Sequence, residues 1–195
     1  IHRVNRAIAE VLFPAMEDFS LDLMIGQGPG ARSVRIDLPP FTLIGATTRA
    51  GLLTAPLRDR FGIVERLDYY PAHHLRDIAA RAAERFQVAV DAEATDELSR
   101  RARGTPRVAI RLLRRILDFG VVERRERIDL STTRMALDRL GVDLLGLDRL
   151  SRRYLQIIHA NHGGGPVGLG TLAATLGEEP DTIEETCEPF LLQIG

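Results

Sequence analysis

The chain has 195 residues with 26 basic and 27 acidic side chains, and its net charge of −1 excludes a globally basic nucleic-acid-binding protein. No apolar run approaches the roughly 18 residues that a membrane helix needs. All 26 basic residues are arginines, so the chain contains no complete P-loop, which needs a lysine to reach the β and γ phosphates. A single cysteine, Cys187, excludes an internal disulfide and is expected to pack in a core.

The first 38 residues predict a helix followed by a β-hairpin. Asn5 is a suitable cap for a helix with one apolar face, and Pro14 is expected to kink or split that helix. Two arms with alternating apolar residues flank a glycine-rich turn and predict the hairpin at 20–38. Its apolar side chains suggest a surface for a partner, and a hairpin folded back on its own domain is the alternative.

The stretch after the hairpin is the one around which we expect the first domain to be organised. An apolar run at 41–44 predicts a strand buried on both faces, and small polar residues follow at 45–49, where open α/β sheets bind ligands. Two arginines, Arg58 and Arg60, then precede a second β-like run at 63–67. The pattern suits a nucleotide-hydrolysing machine whose subunits complete each other's sites. An ordinary buried strand with a salt-bridged loop is the alternative.

Residues 71–145 predict a small domain that is helical throughout. Its first helix has an apolar stripe that includes Leu75 and Phe86. Three further helices are expected to begin at Asp91, Thr105 and Ser131 and to end at Gly104, Gly120 and Gly141. The helix after Thr105 has Pro106 at its first position and Gly120 just past its end, an asymmetry typical of helices.

The last 50 residues predict three helices, with a tight turn at Gly177 between the last two. The first begins at Asp148, and the last runs from Pro180 with Cys187 and Ile194 facing inward. This arrangement resembles a helix-turn-helix. The outer face of the last helix is acidic and would repel phosphates, so DNA binding would need a further basic element. A protein-interaction domain fits the pattern equally well.

Long stretches of the chain resemble the RuvB family, the AAA+ ATPases of bacterial Holliday-junction branch migration. The matching stretches are PAMEDF at 14–19, LDLMIG at 21–26, LPPFTLIGATTRAG at 38–51, PLRDRFGIV at 56–64, ARGTPR at 102–107, RLLRR at 111–115, GGPVGL at 164–169, and DTIEE with EPFL near the end. The resemblance implies an α/β part of the AAA+ sheet domain at 1–70, an all-α lid at 71–145 and a winged-helix domain without its wing at 146–195. It also suggests a fragment that begins just after the Walker B acidic pair.

The family's catalytic positions fall on identifiable residues. Thr47 and Thr48 match sensor 1, a hydroxyl near the γ-phosphate and the attacking water. Arg60 matches the arginine finger, which reaches a neighbouring subunit's ATP and offsets charge on the transferred phosphoryl group. Arg58, two residues earlier, is the rival for that role. Arg107 matches sensor 2, in the first turn of a helix whose cap and dipole favour an anion.

Further positions near the nucleotide match Glu17, Asp18, Phe19 and Tyr70. The resemblance implies ATP and Mg²⁺ as cofactors, with the main ligands upstream and no metal ligand in this chain. The 195 residues alone are therefore expected not to hydrolyse ATP.

The implied function is ATP-driven branch migration in recombination and DNA repair. The implied partners are RuvA through the hairpin at 20–38, further RuvB subunits in a hexameric ring, and duplex DNA at Holliday junctions. The resemblance also allows RuvC as a further partner. It implies a cytoplasmic protein without a membrane partner. Pro180 stands where the family commonly has arginine, which leaves DNA binding by the last helix open. The alternatives are a clamp-loader-like AAA+ machine and a non-catalytic winged-helix DNA-binding or regulatory protein with a degenerate AAA+ domain.

Overall fold

The computed structural model describes residues 1–2, 4–26 and 32–195, which form two compact units, 1–67 and 68–195. The first unit contains α1 (Arg6–Asp18), β1 (Ser20–Ile25), β2 (Arg32–Asp37), a 3-10 turn (Ala50–Leu52) and α2 (Ala55–Asp59). The second contains α3 (Ala72–Arg85), β3 (Ala89–Val90), α4 (Ala92–Arg100), α5 (Pro106–Val122), β4 (Arg127–Ile128), α6 (Leu130–Arg139), α7 (Arg149–His162), α8 (Leu169–Leu176), α9 (Pro180–Thr186) and α10 (Glu188–Gln193). Within the described ranges, no helix has both the length and the apolar character of a membrane span.

Helix α1 is capped as predicted but is not split. The Asn5 side chain accepts a hydrogen bond from the Ile8 N–H at 2.9 Å. Pro14 removes one backbone donor, yet the helix continues to Asp18 and ends at Phe19, whose N–H bonds the Pro14 carbonyl. Because Ala15 is buried and α1 packs on β1, tertiary contacts outweigh the single missing hydrogen bond.

Both arms of the predicted hairpin are present and pair antiparallel, from Ser20 opposite Asp37 to Ile25 opposite Arg32. Residues that lie opposite each other point to the same face, so the pairs Leu21–Ile36 and Leu23–Val34 form one apolar face. Leu23, Val34 and Ile36 are exposed on that face. The turn predicted between the arms falls largely on 27–31, outside the described residues.

The two apolar runs of the first unit are not strands, and this corrects the sequence-based expectation. The runs at 41–44 and 63–67 have no regular secondary structure, with Ile44 88% and Leu67 94% exposed. A strand exists only when a neighbour completes its hydrogen-bond ladder, and no strand within 1–2, 4–26 and 32–195 lies beside either run. The large buried sheet is therefore absent from the described part of the chain.

Helices α3–α6 enclose one hydrophobic core, with the short parallel pair β3–β4 at its edge. Its largest fully buried side chains are Leu98, Leu113, Ile116, Ile128 and Leu137. Gly120 lies inside α5 rather than past its end, because its missing Cβ leaves room for the Ile128 side chain. Two other boundaries also differ from the prediction. Helix α4 already ends at Arg100, and α6 is capped by Asp129, which accepts from the Thr132 N–H at 2.7 Å.

A buried ion pair lies at the end of α4, and its arginine also contacts the segment that follows α6. The Arg101 side chain is 3% exposed, and its Nη2 donates to Glu97 Oε1 at 2.5 Å while its Nη1 donates to the Val142 carbonyl at 3.1 Å. Arg100 and Arg134 also face the Glu97 carboxylate, at 3.0 and 3.7 Å. Burial raises the pKa of Glu97, but the hydrogen bonds and charges of these arginines outweigh it and hold the pKa below the ordinary 4.5.

Helices α7–α10 form the last core, around Ile157, Leu172, Ile183 and the buried Cys187. Helix α7 begins directly after Asp148, as predicted, and the Asp148 side chain caps it. Burial raises the pKa of the Cys187 thiol, consistent with a packing role. The expected single last helix is wrong. It breaks at Cys187 into α9 and α10 because the following Pro189 has no N–H to continue the ladder. Ile194 is exposed rather than inward.

Candidate nucleotide-sensing site

Arg60 lies directly after α2 and is held by three contacts within its own unit. Its Nη2 pairs with Glu17 Oε1 at 2.8 Å, and its Nη1 donates to the Pro56 carbonyl at 2.8 Å. Its Cζ lies 4.3 Å from the centre of the Phe13 ring, in cation–π geometry. The side chain remains 24% exposed. Arg60 is therefore a fixed guanidinium on a side chain that is still partly exposed.

The three neighbouring positions Glu17, Asp18 and Phe19 have separate partners. Glu17 pairs with Arg60, whereas Asp18 lies 3.8 Å from Arg35 on β2. The Phe19 ring meets Phe41 edge-on at 5.8 Å, and the Phe19 carbonyl accepts from the Leu38 N–H at 2.6 Å. The end of α1 thus holds both the hairpin base and Arg60.

The structure distinguishes the two candidate sensor hydroxyls. Thr47 Oγ1 is 2.8 Å from His2 Nδ1 and accepts from the Arg49 N–H at 3.1 Å, so it is used for local structure. Thr48 is exposed, and its hydroxyl has no partner among the residues described. Thr48 is therefore the hydroxyl that remains available to a ligand.

The Phe61 side chain packs on Gly45 and so joins the threonine loop to the end of α2. A Cβ on Gly45 would come within 2.9 Å of Phe61 Cζ and of Ile1 Cδ1, so a larger residue would displace these side chains. Phe61 directly follows Arg60, and Thr48 is three residues after Gly45. The first unit therefore places Thr48 and Arg60 on segments that pack against each other.

The second unit contains Tyr70 and Arg107. The Tyr70 N–H donates to the Gly104 carbonyl at 2.8 Å, which ties the chain before α3 to the loop before α5. Arg107 is the second residue of the 17-residue α5, is exposed and has no partner in the described ranges. Thr105 does not cap α5 with its side chain, contrary to prediction, because its hydroxyl donates to the Arg103 carbonyl at 3.2 Å. The open helix start and Arg107 together favour an anion.

We expect Gly104→Ala to destabilise this loop by about 1–3 kcal/mol, because the change adds strain and a clash. Gly104 has φ +65°, and a Cβ there would come within 2.7 Å of Tyr69 Cβ. Urea unfolding of the 195-residue chain measures the loss. Gly170→Ala is the control, because a Cβ at that helical glycine meets nothing within 4 Å. An equal or smaller loss for Gly104→Ala would contradict the prediction.

Arg103, four residues before Arg107, fixes the same loop to the last part of the second unit, which contains α7–α10. Its Nη2 pairs with Asp148 Oδ2 at 2.5 Å, and its Nε donates to the Gly146 carbonyl at 2.7 Å. Its Cζ lies 5.5 Å from the Phe190 ring centre. Burial raises the pKa of Asp148. Hydrogen bonds from Ser151 and Arg103 and the charge of Arg103 lower it by more, so the pKa lies below its ordinary value.

Sequence reasoning missed two residues that make these contacts, Phe13 and Arg103. Phe13 and Glu17 are four residues apart on α1 and so share a face, a spacing that would have indicated a joint contact. No local pattern indicates the partner of Arg103, because Asp148 is 45 residues away in the chain. Among the residues described, no group of three His, Cys, Asp or Glu side chains is arranged to hold a metal ion.

Comparison with known proteins assigns the whole chain to one family. Residues 1–67 match the family described as the Holliday junction DNA helicase RuvB P-loop domain. Residues 70–143 match the RuvB AAA lid domain, and residues 144–195 match the RuvB C-terminal winged helix domain.

Solved structures of one bacterial protein are similar over the full length of the chain. The Thermotoga maritima RuvB Holliday junction branch migration motor is 45% identical with a TM-score of 0.85, and the chain covers 60% of it. A proline-to-glycine variant and an alanine-to-serine variant of that protein are each 44% identical with a TM-score of 0.87. In each case all of this chain and 61% of the other are covered. The chain thus spans about 60% of the length of these relatives, and it combines a RuvB-type P-loop domain segment, AAA lid and winged-helix domain. On these matches, the chain belongs to the RuvB family of AAA+ proteins.

Proposed function

We propose that the chain is part of an ATP-driven motor that migrates Holliday junctions in recombination and DNA repair. The observation that carries the proposal is that the guanidinium of Arg60 is fixed on its own unit while the side chain remains partly exposed. A fixed cation of this kind suits the arginine finger of an ATP site in a neighbouring subunit. Family membership supplies the reaction class.

The proposed roles follow from the hydrogen-bonding groups that each side chain can offer to a nucleotide. Arg60 offsets the charge that develops on the transferred phosphoryl group of a neighbour's ATP. Thr48, whose hydroxyl has no partner within the described ranges, offers that hydroxyl to the γ-phosphate, and Thr47 orders the same loop. Arg107 binds the phosphates of the chain's own nucleotide from the start of α5, with Tyr70 beside the loop. Glu17, Asp18 and Phe19 line the boundary between subunits.

The ATP and its Mg²⁺ fit these residues only in part. The exposed Arg107 at an open helix start suits a phosphate, and the partly exposed side chain of Arg60 suits another. No lysine occurs in the sequence, and the described ranges contain no cluster of metal-binding side chains. We therefore assign this chain the sensing and finger roles, and we expect no ATP hydrolysis by the 195 residues alone.

The proposed partners are those of a ring motor on DNA. The apolar face of the hairpin, with Leu23, Val34 and Ile36 exposed, suits RuvA. Further RuvB subunits complete a hexameric ring around duplex DNA at the junction, and RuvC is a further partner. The proposed setting is the cytoplasm, where a reduced Cys187 is expected.

Mixing this chain with a complete RuvB protein that lacks its own finger arginine tests the proposal. That protein keeps its P-loop but hydrolyses ATP slowly, and the chain is expected to restore part of the ATPase rate by supplying Arg60 in trans. The rate is measured as phosphate release against increasing concentrations of the chain. No gain over the finger-less protein alone would contradict the proposal and favour a non-catalytic winged-helix regulator. Bovine serum albumin at equal concentration controls for non-specific protein effects.

A further inference from the structure

The two arginines around the end of α2 are held very differently. Arg58 is exposed, and its side chain has no partner among the residues described, whereas Arg60 has a carboxylate, a carbonyl and an aromatic ring around it. Two of these groups, Phe13 and Glu17, come from α1 and are separated from Arg60 by more than 40 residues of sequence. Such a long-range enclosure is specific to Arg60.

The enclosure fixes the position of the guanidinium. A free arginine loses side-chain entropy when it is ordered, and its interaction with a neighbouring ATP would otherwise have to offset that loss. Phe13 supports the flat face of the guanidinium, while Glu17 and the Pro56 carbonyl fix its two outer nitrogens. A group that is already in place before the reaction stabilises developing charge most effectively.

These contacts do not use all of the donors of Arg60. An arginine has five N–H donors, and one on each outer nitrogen is directed to Pro56 or Glu17. Nε is buried without a hydrogen-bond partner in the described ranges, so the donors that a ligand would use are the remaining ones on the outer nitrogens. The guanidinium can therefore stay on Glu17 and Phe13 while it binds a phosphate oxygen.

We propose that Glu17 and Phe13 are positioning residues for Arg60, which they hold ready for the phosphoryl group of a neighbouring subunit. Glu17 acts through its ion pair and Phe13 through its ring. This inference rests on the proposed finger role of Arg60. It assigns to Glu17 a function toward Arg60 rather than a direct contact with the nucleotide.

The mixing assay tests the inference with Glu17→Gln and Phe13→Leu in the 195-residue chain. Each is expected to lower the maximal ATPase rate at saturating chain by about tenfold, since small misplacements of a catalytic group cost up to about 10²-fold. The chain concentration at half-maximal rate is expected to stay unchanged. Phe13→Tyr keeps the ring and is expected to retain most of the rate. Asp59→Asn is the matched control for the amide change, because the exposed Asp59 has no ion-pair partner in the described part of the chain.

Each outcome of this assay has one meaning. Rates equal to that of the unaltered chain would overturn the inference, and a higher rate for Glu17→Gln would overturn it by showing that Glu17 restrains Arg60. An unchanged maximal rate with a raised half-maximal concentration would show that Glu17 and Phe13 act only in binding the neighbouring subunit, which also overturns the inference. No gain even with the unaltered chain would instead contradict the proposed function.

A second measurement needs no ATPase activity and separates the two failures. The Nε–H of an immobilised arginine gives a resolved signal in proton–nitrogen NMR spectra of the isolated chain. We expect an ordered Arg60 signal in the unaltered chain and its broadening or shift toward free arginine in Glu17→Gln and Phe13→Leu. An Arg60 signal that both changes leave in place would overturn the positioning role, whatever the mixing assay gives.

Discussion

Arg60→Ala is expected to remove the ATPase gain that the chain gives to a finger-less RuvB protein, with a loss of about 10³-fold or more in the arginine-dependent rate. Alanine removes the guanidinium, which is the group that we propose to contact a neighbour's phosphoryl group. Because Arg60 also binds Glu17 and Pro56, the variant loses about 1 kcal/mol of stability, which thermal unfolding of the chain measures.

Arg58→Ala is the matched control for this prediction. It removes the same residue type two positions away, from an exposed side chain without a partner in the described ranges. The gain is expected to persist within about twofold, since exposed charges contribute little. The reverse result, with Arg58→Ala inactive and Arg60→Ala active, would transfer the finger role to Arg58.

Glu97→Ala is expected to lower the free energy of unfolding of the second unit by about 3–5 kcal/mol, because it removes the nearest carboxylate from the buried Arg101 charge. Arg101 is 3% exposed, and among the residues described it has only the Val142 carbonyl and the exposed Asp138, 3.6 Å away, to replace Glu97. Urea unfolding of the chain measures the change.

Two further variants test whether the loss comes from the buried charge of Arg101. Asp118→Ala breaks the exposed pair of Asp118 with Arg115, 3.0 Å apart, and is expected to cost less than about 1 kcal/mol. A double change of Glu97 and Arg101 to leucine and methionine is expected to recover most of the loss, because it removes both buried charges. A loss for Glu97→Ala no larger than that for Asp118→Ala would contradict the assigned role.

The same ion pair sets a pH dependence. The pKa of Glu97 is lower in the folded chain than the ordinary 4.5, so its contribution to stability is present above that value and disappears as the pH falls through the folded pKa. The difference in unfolding free energy between the unaltered chain and Glu97→Ala is therefore expected to narrow in acid. A constant difference down to strongly acidic pH would contradict the assignment.

The sequence predicted local features better than it predicted packing. The cap at Asn5, the start of a helix at Asp148 and the hairpin arms depend on residues close together in the chain, and the structure contains all three. The runs at 41–44 and 63–67 have the composition of strands, but strand formation depends on neighbours that composition cannot supply. The prediction that α5 ends before Gly120 is wrong, because a glycine that ends a helix and a glycine that admits a close neighbour look alike in sequence.

The candidate site was predictable residue by residue but not in its connections. Resemblance to a family located Arg60, Thr48 and Arg107, whose roles remain predictions. It did not indicate that the Thr47 hydroxyl is hydrogen-bonded to His2, or that Glu17 contacts Arg60. Such contacts join residues about 45 positions apart, and only the folded chain brings them together.

The junction between lid and winged-helix domain limits how these parts can be exchanged between relatives. The family boundary at 143/144 is crossed by the bonds of Arg103 to Asp148 and Gly146, and by a bond from Arg152 to the Gly141 carbonyl. Gly146 has φ +81°, and a Cβ there would come within 2.6 Å of the Arg101 carbonyl oxygen. A chimera joined at that boundary would inherit half of each contact. A functional crossover point therefore has to keep residues 101–103 and 141–152 from the same parent.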